Sequence, residues 1–144
     1  MSKELVKLFA SVDRVLKTNL QGITHADSIK HIENCNSINW LVGHIVVSRN
    51  GVLSLMELPP IAGEKLKAVY ERGSKMMTDM GNAENLDALV KLFDESQQRI
   101  LDGVTKTYSD EIIDRLIFLG FHEGYHVGQI GTMRKLLGKE GAIK

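Results

Sequence analysis

Residues 122–126 read His-Glu-Gly-Tyr-His, and this pair of histidines is the first place where the chain could do chemistry. In a helix, positions four apart lie one above the other, so His122 and His126 can offer two imidazole nitrogens to one ion. The letters match the H-E-x-x-H helix of zinc proteases, which needs a third ligand downstream. Its longer variant places Gly three and His six residues after the second histidine, where this chain has Gln129 and Thr132. The one glutamate after His126 is Glu140, in a Gly-flanked tail, so the protease reading fails for want of a ligand.

A di-iron carboxylate bundle fails on the same kind of count. Glu123 and His126 make one Glu-x-x-His unit, whereas that site needs two units and glutamates from two further helices. None of the other histidines has Glu three residues before it. The remaining source of a third ligand is upstream, at His44 in the stretch SINWLVGHIVVSRNGV. Its helical neighbours are Trp40, Leu41, Ser48, Gly51 and Leu55, a face at least half apolar, so His44 is expected to look inward. Three histidines plus solvent would form the open arrangement of a catalytic metal ion. Spacing leaves a second reading open, in which the three are core histidines bonded to backbone or side-chain partners. His25 and His31 lie in a polar connection and are expected to face solvent.

The elements that must position these residues are helical. Leu5, Leu8, Phe9, Val12, Val15, Leu16 and Leu20 recur at spacings of three and four, predicting a first helix over about 4–19. Asn36 or Ser37 can cap a second helix, over about 38–56, which Leu58-Pro59-Pro60 must end. Residues 61–85 read as a crossover connection, with a short helix possible over 64–72. A third helix starts near Asn85. A fourth opens at Ser109 and continues through both histidines to Gly138. No stretch alternates with period two and no repeat is present. The expected fold is therefore an all-α four-helix bundle, one domain over 1–144, with a long crossover between helices two and three.

Composition narrows the function classes. At 43% hydrophobic residues, the chain can bury a core without disulfides. Lys plus Arg and Asp plus Glu number 18 each, so no bulk basic field exists for nucleic acid. Cys35 is the sole cysteine, which suits a reducing compartment. Charges interrupt the apolar residues of MSKELVKLFASVDRVL, and no window resembles a membrane span. The expectation is a soluble, cytoplasmic protein with no nucleic-acid or membrane partner.

Around the histidines, Glu123 is about 100° from His122 on an ideal helix and could be a surface acid, a histidine's hydrogen-bond partner or an acid/base group, the first two being favoured. Gln129, on or near the histidine face, could bond a ligand or a bound water, or be a buried structural amide. Tyr125 is expected to pack against apolar neighbours. Arg49 and Arg134 read as exposed helix charges that could meet an anionic substrate. Gly120, Gly124 and Gly128 recur every four residues, a stripe that lets another helix approach, either within the subunit or across a dimer.

SINWLVGHI and FHEGYHVGQIGTMRKLLG resemble the two signature segments of the DinB/YfiT-like superfamily of metal-dependent enzymes. The resemblance follows helix order along roughly the whole chain, and its specific part is confined to these two segments. It implies a four-helix bundle in which His44, His122 and His126 bind one divalent ion. Zinc or nickel is the expected metal, since imidazole suits both. It also implies thiol S-transfer with a low-molecular-weight thiol, or hydrolysis, on a small electrophile. A neutral three-histidine set leaves the ion its full double charge, which favours the anion of a bound water or thiol near neutral pH. Members of the family are often homodimers. A non-catalytic metal-binding helical bundle with a stress-related or interaction role is the alternative.

Overall fold

The computed structural model describes residues 2–74 and 80–143. Among these the chain is all-helical, with six α-helices, a short 3-10 turn over Met80–Asn82 and no strand beyond an isolated bridge between Ile32 and Cys35.

Helix α1 spans Lys3–Leu20, and the Ser2 hydroxyl caps it by accepting from the Leu5 N–H at 3.3 Å. Its apolar stripe, Leu5, Phe9, Val12 and Leu16, is buried. The polar connection that follows is more ordered than its composition predicts. It holds a four-residue helix α2, His25–Ser28, closed by a reciprocal capping box between Thr24 and Asp27. His25, expected in solvent, is half-buried, and its Nδ1 accepts the Leu86 N–H at 3.2 Å. His31 is exposed, as its surroundings predict.

Helix α3 spans Ile38–Leu55, and Ser37 is the residue that caps it, accepting from the Trp40 N–H at 3.1 Å. Every residue from Ser37 to Val46 is buried, so α3 is the inner helix, touched by α2 and by three elements further along the chain. The chain leaves α3 through Glu57, whose φ of 58° is left-handed, and the two prolines. The Asn50 side chain then clasps the turn, accepting from the N–H of Ile61 and Ala62 and donating to the Ala62 carbonyl. Helix α4, Glu64–Tyr70, folds back onto α3. That contact requires glycine at position 43, where a Cβ would stand 2.3 Å from a Tyr70 ring carbon.

Helix α5, Leu86–Gly103, is capped by Asn85, and α6, Asp110–Leu136, by Ser109. Acidic residues in the first turn of α6 and basic ones in its last turn complement the helix dipole. α1 packs against α6 and α5, while α3 packs against α5 and α6. The glycine stripe of α6 divides in two. A Cβ on Gly120 would meet Leu8 of α1 at 2.5 Å, so that glycine serves a contact within the chain. Gly124 and Gly128 have nothing within 4 Å of an added Cβ, and Phe118, Phe121 and Tyr125 stand exposed beside them. No described helix is long and apolar enough to cross a membrane.

Candidate metal centre

The antiparallel approach of α3 and α6 brings His44, His122 and His126 together. One candidate ligand atom from each lies within 4.8 Å of the other two. The two histidines of α6 have their Nε2 atoms 3.0 Å apart, and the His44 ring lies edge-on to both, with centroids 5.4 Å from His122 and 4.8 Å from His126. Nitrogens at 2.0–2.1 Å from one tetrahedral zinc stand roughly 3.3 Å apart, so the pair on α6 already has a chelating separation and His44 is the arm that must draw in.

The outer nitrogens decide which atoms are free to bind. His44 Nδ1 lies 2.8 Å from the Tyr70 carbonyl, which can only accept, so Nδ1 carries the proton and Nε2 presents a lone pair. His126 Nδ1 lies 2.6 Å from Gln129 Oε1, which again leaves Nε2 unprotonated. Histidine ligands of metals almost always donate their other N–H in this way. His122 Nδ1 is buried and has no hydrogen-bond partner among the described residues. With its proton on Nε2, His122 can donate to His126 but leaves Nδ1 a buried acceptor without a donor. With its proton on Nδ1, two lone pairs face each other at 3.0 Å, a repulsion that a cation between them removes. The residues present therefore fit a divalent ion.

Burial tunes all three imidazoles in the same sense. Desolvation lowers the pKa of His44 and His122, and it pushes His126 down to about 4 against the pull of Gln129. Neutral imidazoles are what a metal requires, and burial favours the neutral form of all three. His44 is held from a third side by Trp40, whose ring stacks on it at 4.7 Å with an 8° tilt and whose indole N–H donates to Ser74. The positive charge of Arg72 reaches both His44 and His122 and disfavours their protonation further. Arg72 is exposed, two residues beyond the carbonyl that orients His44.

The expectations for Glu123 and Arg49 need correction. Glu123 is neither a surface acid nor a histidine partner: it is 1% exposed, and its carboxylate takes two bonds from Arg49, at 3.1 and 3.0 Å. Arg49, expected on the surface, is fully buried, so neither charge can meet substrate. Burial raises the pKa of Glu123 and the guanidinium opposes that rise. A signal for this was available, since Arg49 is the only Lys, Arg, Asp or Glu in the whole of α3. A lone charge in a helix that is apolar almost all round has to be buried and paired.

Arg134 also serves the fold, donating to the carbonyls of Asn19 and Gln21 at the end of α1. Gln129 orients His126, and Tyr125 is exposed with its ring edge against His126. Sequence reasoning assigns no role to Trp40, Tyr70 or Arg72. Tyr70 acts through its backbone carbonyl, and Arg72 and the Ser74 hydroxyl that takes the Trp40 N–H arrive through a fold-back that no local pattern announces, while the stacking of Trp40 on His44 follows from their spacing of four on α3. Set against protein-family models, curated proteins and solved structures, the chain finds no match.

Proposed function

We propose that this chain is a metal-dependent enzyme of the DinB/YfiT type, in which His44, His122 and His126 hold one divalent ion, zinc or nickel. In this reading the four long helices form a four-helix bundle and residues 61–85 are its long crossover. The observation that carries the proposal is the convergence of three neutral imidazoles within 4.8 Å from two distant segments. The facing nitrogens of His122 and His126 add support, because an ion between them relieves their repulsion.

A divalent ion bound there supplies the charge that makes water or a low-molecular-weight thiol nucleophilic near neutral pH, for hydrolysis or S-transfer on a small electrophile. The chain's own residues do the rest. Tyr70 and Gln129 fix which nitrogens point inward, Trp40 holds the plane of His44, and Arg72 draws an anionic group toward the site. The balanced charge offers nothing to nucleic acid. The exposed face of α6 around Phe118, Phe121 and Tyr125 is where a second copy would pack in a homodimer.

The experiment is a turnover assay on zinc-loaded and nickel-loaded protein. A panel of low-molecular-weight thiols is paired with 1-chloro-2,4-dinitrobenzene, and ester substrates are run in parallel. The proposal expects metal-dependent turnover that disappears in His122→Ala. One tightly held ion with no turnover on either panel would favour a non-catalytic metal-binding bundle.

A further inference from the structure

Among the described residues, an extended buried polar cluster lies beside the histidines, not among them. Arg49 donates to both oxygens of Glu123, to the Phe93 carbonyl at 3.0 Å, to Ser96 Oγ at 2.9 Å and to Gln97 Oε1 at 2.9 Å. Its guanidinium lies 3.6 Å from the centre of the Phe93 ring. Gln97 in turn donates to the Phe9 carbonyl at 3.2 Å. One connected cluster thus ties α1, α3, α5 and α6, and every side chain that bonds Arg49 is buried.

Its place in the core is specific. The apolar interior divides into two clusters. One contains Val12, Val46, Phe93 and Val127; the other contains Phe9, Val52, Ile100 and Leu116. On α3, on α5 and on α6 the polar residues fall between the members of the two clusters. The Arg49 network is therefore a single polar layer at their seam. Apolar packing tolerates sliding by a turn, because one branched side chain can replace another. A five-donor fork meeting a carboxylate, a carbonyl, a hydroxyl and an amide has one satisfying arrangement.

The layer also adjoins the metal ligands. Glu123 follows His122 directly and precedes His126 by one turn, while Arg49 is five residues after His44 on the facing helix. We infer that the Arg49–Glu123 pair is a positioning device for the three-histidine site, setting the rotation and axial register of α6 against α3 so that His122 and His126 meet His44. The inference rests on the metal reading above. It concerns how the site is kept in shape, since neither charge reaches the ion.

The test uses the full chain with cobalt(II), whose visible absorption reports ligand geometry, in the wild type and in the double variant Arg49→Met/Glu123→Leu. Replacing a buried ion pair by apolar side chains of similar volume is often neutral or stabilising, so stability and site geometry can be separated. The expected result is a metal-free protein that still unfolds cooperatively, with cobalt affinity about 10- to 100-fold weaker and altered absorption bands. Wild-type affinity and spectrum in a folded double variant would overturn the positioning role and leave the three-histidine site standing. A wild type that takes up no cobalt would instead remove the metal reading, and this inference with it. Should the double variant not fold, Glu123→Gln is read by the same two criteria. Collapse of both variants would assign the pair to the fold alone and overturn the inference as well.

Discussion

The Nε2 atoms of His122 and His126 stand 3.0 Å apart on successive turns of α6, a separation that only a shared proton or a shared cation bridges without repulsion. His44 faces both rings from α3 with its own Nε2 free. Which of the two bridges is present decides whether these imidazoles form a metal site.

Acid should loosen the metal-free fold in a defined window. Unfolded His126 takes up its proton near the ordinary value of 6.5, whereas burial delays the folded residue to about 4. A depressed pKa means that the unfolded state binds more protons between those values. The contribution is therefore fully present above about 6.5 and is lost as the pH falls through about 4. His44 and His122 shift in the same direction. Urea unfolding of the metal-free protein at pH 7 and pH 5 should show lower stability at pH 5, and His126→Gln should reduce the difference. Equal stability at both values would contradict the buried neutral imidazoles.

Gly43→Ala should damage the site from a distance. Its Cβ would fall 2.3 Å from the Tyr70 ring and force α4 away from α3, drawing the Tyr70 carbonyl off His44 Nδ1. Overpacking of this kind costs about 1–3 kcal/mol. Lower melting temperature together with weaker zinc binding is the expected pair of effects. Zinc affinity equal to wild type would show that the Tyr70 carbonyl does not orient His44.

Gln129→Met should leave the fold nearly intact while removing the acceptor for His126 Nδ1. Loss of such a partner typically weakens metal binding about 10- to 100-fold. Competition titration with a chromophoric chelator measures it directly. An unchanged affinity would mean that the tautomer of His126 is set by something else.

Gly124→Leu separates the two uses of the glycine stripe. Nothing lies within 4 Å of an added Cβ, so packing inside the chain should survive, and relief of a helical glycine should add about 1 kcal/mol. A homodimer through the exposed face of α6 predicts that light scattering falls from two chains to one. A dimeric mass retained in the variant would place the interface elsewhere.

Much of the fold is legible in the sequence, because the long helices announce themselves by period and by cap. Ser37, Asn85 and Ser109 all begin helices where their hydroxyl or amide chemistry predicts, and Pro59-Pro60 closes the exit from α3. The histidine set is legible for a related reason: spacing of four on one helix is a geometric statement, and His44 follows by elimination among few candidates. The surroundings of the site are not legible. Glu123 looks like a surface acid when α6 is read alone, and its burial becomes visible only when α3 and α6 are laid side by side. Arg49 stands out as the lone charge of an otherwise apolar helix, but its partner does not. Tyr70 contributes a carbonyl that every residue possesses, and only the space left by Gly43 brings it to His44.

The most direct measurement is metal content by plasma mass spectrometry on tag-free protein, after exposure to zinc or nickel, in the wild type beside His44→Ala and His126→Ala. About one ion per chain is expected in the wild type, and its loss in both variants, tying α3 and α6 into one centre. No ion in the wild type, or full retention after either substitution, would contradict the three-histidine site.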